Sequence, residues 1–258
     1  MSVRQLLDLT GRTAIVTGGS RGLGLQIAEA LGEMGARIAI TARKKDELDA
    51  AVAHLAKLGV EASAWVCDMG QREQIPPVAD AILARYGRVD ILVNNAGATW
   101  AAPAEDHPLE AWDKLVNLNL TGTFVLTQIV AKKSMIPAKW GRIVNVASVA
   151  GLIGSDSRVV RTVAYNVTKH GVVGLTRQLA AEWGEHGITV NAICPGFFPS
   201  KMSQGVLSQA GELVREMTPT RRLGGPEDLK GLAVLLASEA SRHISGQAIA
   251  VDGGAIII

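Results

Sequence analysis

Tyr165 and Lys169 stand four residues apart, which puts a phenol and an ammonium on one face of a helix. A free phenol titrates near pH 10, so proton transfer by Tyr165 at neutral pH calls for a nearby cation that favours the phenolate. Ser148, 17 positions upstream, adds a hydroxyl just after an apolar run. Each residue alone has a plain structural reading: a core tyrosine, a surface lysine, a turn cap. Only their conjunction with motifs elsewhere in the chain sets them apart. A second set suits phosphate. Thr17-Gly18-Gly19-Ser20-Arg21-Gly22-Leu23-Gly24 has glycines at 18, 22 and 24, which allow a tight turn and close approach of backbone N–H groups to a pyrophosphate. The spacing is not GxGxxG, so the signal rests on its place between a strand and a helix. Further on, Thr41-Ala42-Arg43-Lys44-Lys45 stands where an NAD site carries an acid for the ribose 2′-hydroxyl. Cations there suit a 2′-phosphate, with Arg43, Lys44 and Arg21 as candidates and Lys45 as a solvated helix start. NADP(H) is the expected cofactor.

These residues need a frame. Short apolar runs at Thr13–Thr17, Arg37–Thr41, Ala62–Cys67, Val89–Val93, Gly141–Val146, Thr189–Ile193 and Ala248–Val251 read as strands buried on both faces. Between the early ones lie helical patterns at Leu23–Met34, Asp46–Leu58 and Ile75–Tyr86, with Gly35, Gly59 and Gly87 at their ends. This alternation predicts an α/β fold, an open parallel sheet with helices on both faces. No linker, charge run or repeat divides the chain, so residues 1–258 read as a single domain. Ligands of such a sheet bind beyond the carboxyl ends of its strands, here at Asp68, Asn94-Asn95-Ala96-Gly97, Ser148 and Pro195-Gly196. Two later helices, Leu109–Met135 and Tyr165–Trp183, are apolar on more than one face, which fits either a thick core or, the favoured reading, a subunit interface.

Composition narrows the classes. The 258 residues are 48% hydrophobic and 19% charged, which excludes disorder, collagen and coiled coil. A formal net charge of +2 gives no reason to expect a nucleic acid partner. No apolar run is long enough to cross a membrane, and Met1–Thr10 lacks a secretory apolar block, so a cytoplasmic protein is expected. Cys67 and Cys194 form no CxxC, and the histidines at 54, 107, 170, 186 and 243 form no HxH or HExxH. Neither a disulfide framework nor a metal site is expected; both thiols read as small buried apolar groups.

The conjunction of motifs resembles the short-chain dehydrogenase/reductase family. The matching pieces are TGGSRGLG (17–24), Asp68, NNAG (94–97), Asn119 in NLNLTG, Ser148 after IVNVA, YNVTK (165–169), Pro195-Gly196 and SGQAIAVDGG (245–254), in the family's order along nearly the whole chain. The resemblance implies a Rossmann-type, doubly wound, seven-stranded parallel sheet of order 3-2-1-4-5-6-7. It implies that Tyr165 exchanges a proton with a ketone or alcohol, Lys169 supports it and holds the nicotinamide ribose, Ser148 fixes the substrate oxygen, and Asn119 supports a water leading to solvent. Cofactor contacts are implied at Gly18, Ser20, Arg21, Gly22, Leu23, Gly24, Arg43, Lys44, Cys67, Asp68, Met69, Asn95, Ala96, Gly97, Tyr165, Lys169, Pro195, Gly196 and Phe198. A homotetramer is implied too, with the apolar ending Ala255–Ile258 at a subunit contact.

One departure is the Ser148–Tyr165 interval, longer than usual for the family, with the extra residues in 154–161. Arg158 and Arg161 there are candidates to attract an acidic substrate group, with exposed charge as the plain alternative. Phe197, Phe198, Met202 and Met217 suggest an apolar substrate wall with Lys201 at its rim, in a weakly patterned stretch reaching Thr220. Gly224-Gly225-Pro226-Glu227-Asp228 reads as the opening of a last long helix. The substrate is expected to be a small ketone or secondary alcohol: a 3-oxoacyl thioester, or else a sugar acid of the kind gluconate 5-dehydrogenases take. A non-catalytic cofactor-binding scaffold is the rival from another class, set aside because Tyr, Lys, Ser and Asn are all present.

Overall fold

Thr13–Thr17 (β1) is buried at every position and is an interior strand of the sheet. Its alternate side chains leave on opposite faces. Ala14 and Val16 join Ile38, Ile40, Val93 and Val144 in a core covered by the Gly22–Glu33, Lys45–Lys57 and Lys230–Ala237 helices. Ile15 joins Ala39, Leu92 and Ile143 in a second core covered by Ile75–Tyr86, the helical segment 109–138 and Val163–Trp183. In this computed structural model, residues 1–257 are described.

The other strands are Arg37–Ala42 (β2), Ala62–Val66 (β3), Ile91–Asn94 (β4), Gly141–Val146 (β5), Ile188–Pro195 (β6) and Ala248–Val251 (β7). Every pairing is parallel and the order is β3-β2-β1-β4-β5-β6-β7, as expected. The order reverses between β1 and β4, and a crevice opens at their carboxyl ends. Asn94 and Asn145, paired across β4 and β5, brace this centre. Asn94 Nδ2 donates to Asn145 Oδ1 at 2.8 Å and to Thr127 Oγ1 at 2.9 Å, and Asn145 Nδ2 donates to Thr176 Oγ1 at 2.9 Å. Two strands and two helices are thereby locked by buried hydrogen bonds.

Segment 109–138 contains two π-helical turns, Val116–Thr121 and Ala131–Met135. Two expectations are corrected. The stretch before Thr220 holds a helix, Gln204–Met217, which inserts Val214 into the interior. The last helix starts at Lys230 and runs only to Ala237, because Asp228 Oδ2 accepts from Gly225 N at 2.7 Å and holds the chain in a turn first. Of the apolar ending, Ala255 and Ile256 are half-buried and Ile257 is exposed, while Ile258 lies outside the described residues. Among the described residues no helix is long and apolar enough to cross a membrane, and no group of His, Cys, Asp and Glu could hold a metal ion.

Candidate active site

A cleft of about 880 Å³ runs along the carboxyl ends of the strands. One end is the glycine loop. Gly18 has φ +63° and Gly22 φ +56°, both in the left-handed region that favours glycine. A Cβ on Gly24 would lie 2.3 Å from Gly18 O and 2.4 Å from Asn95 Nδ2, so only glycine lets the helix start so close beneath the loop. Gly24 therefore shapes the cradle from below, while Gly18, Ser20, Arg21, Gly22 and Leu23 line it. Asn95 clamps the loop: its Nδ2 donates to Thr17 O at 2.8 Å. Thr17 Oγ1 accepts from the backbone N–H groups of Asn95 and Ala96 at 2.9 and 3.0 Å. Ala96 and Gly97 continue the wall, as do Cys67, Asp68 and Met69 opposite. Asp68 Oδ1 accepts from Gly70 N at 2.9 Å, which fixes the carboxylate. Burial pushes the Cys67 thiol up to about 11, so it is an apolar wall rather than a nucleophile.

At the end of β2 the cleft is cationic, with Arg21, Arg43 and Lys44 all lining it. Arg43 is exposed and has no carboxylate partner among the described residues. The sequence places no acid within Thr41–Lys45, yet folding brings one in. Glu47 Oε1 lies 3.2 Å from Arg21 Nη1 and 3.5 Å from Lys44 Nζ. A glycine cradle too tight for a Cβ, together with a free guanidinium and two further cations, fits a dinucleotide bearing an additional phosphate.

At the other end, helix Val163–Trp183 carries Tyr165 and Lys169 to the carboxyl end of β5, where Ser148 begins the next turn. Ser148 Oγ accepts from Ala150 N at 3.1 Å, which leaves its own proton to be donated on the Tyr165 side of the cleft. Lys169 is buried and its Nζ donates to Val146 O at 2.8 Å, 5.6 Å from the Tyr165 ring centre. Asn119 sits on the Val116–Thr121 π-turn, where its amide is spoken for on both sides. Its Oδ1 accepts from Ala98 N at 2.9 Å, and its Nδ2 donates to Ala98 O and Thr168 Oγ1, both at 3.0 Å. Asn119 Oδ1 and Lys169 Nζ converge on Gly97, 3.2 and 3.7 Å from where its Cβ would stand. Ser148, Tyr165 and Lys169 thus line one end of the cleft, with Asn119 buried beside Gly97.

Their titration differs from the simple expectation. Burial raises the Tyr165 phenol above its ordinary value, and the Ser148 side chain brings it only partly back. Burial lowers Lys169 to about 8. Without a ligand the phenol is held neutral, the form that donates a proton.

The substrate-side expectations divide. Arg158 and Arg161 are exposed and do not line the cleft, the arrangement of the plain alternative. Arg158 is captured by Asp156 two residues away, with Nε 3.0 Å from both carboxylate oxygens. The cleft sees Asp156, Val159 and Val160 of that loop instead. Asn166, inside YNVTK but overlooked, pins the loop: its Oδ1 accepts from Thr162 Oγ1 at 2.9 Å and its Nδ2 donates to Ser155 Oγ at 3.0 Å. Pro195, Gly196, Phe197, Lys201, Met202 and Met217 all line the cleft. Phe198 reaches it too, but its ring is 5% exposed and belongs to the core, packed on Gly224. Val206 and Val214, from the overlooked helix, add to the wall.

The short chain dehydrogenase family profile matches residues 12–211. D-threitol dehydrogenase of Mycolicibacterium smegmatis is 38% identical over 247 residues, covering 95% of this chain and 93% of that one. A 3-oxoacyl-[acyl-carrier-protein] reductase of Synechocystis is 36% identical, covering 96% of this chain and 98% of its own. The crystal structure of a gluconate 5-dehydrogenase from Burkholderia cenocepacia, in complex with NADP and tartrate, superposes with a TM-score of 0.94 at 33% identity, covering 100% of both chains. The chain belongs to the short chain dehydrogenase family, and with it to the oxidoreductases that act on CH–OH groups.

Proposed function

We propose that this enzyme uses NADP(H) to interconvert a ketone and a secondary alcohol, with Tyr165 as the proton carrier. The observation that carries the reading is one continuous cleft with phosphate-binding features at one end and Tyr165, Ser148 and Lys169 at the other, with Asn119 buried behind them. When bound, the nicotinamide supplies or accepts the hydride. The residues of this chain do the rest. Ser148 donates to the substrate oxygen and strengthens that bond as negative charge develops there. Tyr165 delivers its proton to the same oxygen in reduction and withdraws it in oxidation. Lys169, kept cationic at neutral pH, favours the phenolate left behind. Asn119 holds the turn at Ala98 against the Tyr165–Lys169 helix, keeping the site assembled. Arg43, Arg21 and Lys44 hold the 2′-phosphate.

The substrate is proposed to be a ketone with an apolar arm, first of all a 3-oxoacyl thioester. Val159, Val160, Phe197, Met202, Val206 and Met217 supply the apolar wall, and Lys201 and Arg222 are the cations at hand. A polyol or sugar acid is the second reading, favoured by what the threitol and gluconate dehydrogenase relatives act on. The enzyme is further proposed to be a homotetramer. NADPH and NADH oxidation rates with acetoacetyl-CoA, longer 3-oxoacyl thioesters, 5-ketogluconate and cyclic ketones test the assignment. A higher kcat/KM with NADPH on a thioester is expected; a preference for NADH, or for 5-ketogluconate, would displace it.

A further inference from the structure

Glu47 stands inside the cationic end of the cleft with a role that neither loop chemistry nor fold demands. It belongs to the first turn of Lys45–Lys57, three residues after Lys44, and its side chain is 25% exposed at the cleft wall. One carboxylate oxygen, Oε1, serves both Arg21 from the glycine loop and Lys44 from the turn after β2, at 3.2 and 3.5 Å. These cations come from segments more than 20 residues apart in sequence, so the carboxylate is a cross-link between the two sides of the site. Lys45, the remaining cation of the cluster, is turned away to Asp49 at 2.7 Å, and Arg43 alone stays free. Two of the three cations at this end of the cleft thus already share one internal anion, which offsets one unit of their charge.

From this we infer that Glu47 is a specificity-determining residue that lowers the preference for a 2′-phosphorylated cofactor over an unphosphorylated one. The inference rests on the NADP(H) assignment above. A 2′-phosphate brings between one and two negative charges to the same Arg21 and Lys44. To be gripped by them it must loosen both carboxylate contacts and settle beside a like charge. An unphosphorylated cofactor meets no such conflict, because the Arg21–Glu47–Lys44 bridge stays closed beneath it. Exposed ion pairs of this kind are individually weak, so displacing two of them corresponds to about a threefold to tenfold loss of affinity.

The test is calorimetric binding of NADPH, NADH, 2′,5′-ADP and 5′-ADP to the wild-type enzyme and to Glu47→Gln. The amide keeps the shape of the side chain, and a thermal melt verifies the fold. E47Q is expected to bind NADPH and 2′,5′-ADP about threefold to tenfold more tightly. NADH and 5′-ADP should stay within about twofold, so that the gain follows the phosphate. If wild-type enzyme prefers NADPH but E47Q binds it equally or more weakly, Glu47 is a preorganising strut and the inference is overturned. If wild-type enzyme binds NADH more tightly than NADPH, the cofactor assignment itself fails.

Discussion

Lys169 places a cation where burial opposes it, and its lowered value of about 8 records that cost. In the unfolded chain a lysine titrates near 10.4. Below pH 8 the side chain is charged in both states and the folded state bears the full penalty. Between pH 8 and 10.4 the folded state gives up its proton first and the penalty fades, so this group's contribution to stability rises with pH there. A shift of this size corresponds to about 3 kcal/mol, against which the bond to Val146 O returns about 1–2 kcal/mol. Lys169→Met is therefore expected to be inactive yet about 1–2 kcal/mol more stable at pH 7 by urea denaturation, with the gain shrinking by pH 10. The same titration sets the pH profile. Reduction needs a protonated Tyr165 and a cationic Lys169, both present at neutral pH. Its kcat/KM should be level from pH 6 to 7.5 and fall as Lys169 titrates near 8. A rate that climbs across that range would contradict the assignment of Tyr165 as donor. At this scale the sequence was informative about identity but not about electrostatic state. Spacing brings Tyr165 and Lys169 together, whereas the dominance of burial over attraction depends on side chains from β5 and β6 that no local pattern reveals.

Elements determine which residues reach the cleft. Gly24 is legible as part of a glycine loop, but its reason emerges only in the fold, where a Cβ there would stand 2.3 Å from Gly18 O. Gly24→Ala should push the helix start off Gly18 and weaken NADPH binding at least tenfold by fluorescence titration, with a lower melting temperature. An unchanged Kd would show that the cradle can relax. The seven strands were legible because buried parallel strands are short continuous apolar runs bounded by glycine. Helix Gln204–Met217 was not, because Gly205 and Gly211 interrupt its pattern and only Gly211 and Val214 are buried. The opening of the last helix misled for a related reason. Gly225, Pro226 and Asp228 carry N-terminal helix signals, yet the Asp228 carboxylate is held by Arg222 and Gly225, well below its usual range at about 2. Arg158 stands exposed and paired with Asp156, a partner two residues away that sequence reading did not weigh.

For the whole molecule, the sheet order follows from the alternation of strands and helices together with the family resemblance, since each crossover can return on only one hand. What one chain leaves uncovered bears on its assembly. Phe124 and Val167, on the two long helices flanking Asn119 and Tyr165, are 39% and 46% exposed. In a homotetramer these faces pack on other copies. The double variant F124D/V167D is expected to run as a smaller species than wild type by light scattering at micromolar concentration. A wild-type enzyme that is itself a 27.1 kDa monomer would contradict the assembly.

The proton route is tested most directly by Tyr165→Phe. NADPH oxidation by wild type and Y165F is compared on whichever ketone the wild type reduces fastest, alongside NADPH affinity for both proteins. Loss of the hydroxyl should cut kcat by about 10²–10⁴-fold while the NADPH Kd stays within about threefold, because the ring is kept and the phosphate end is untouched. A Y165F enzyme that turns over at the wild-type rate would mean that the proton reaches the substrate oxygen from another group.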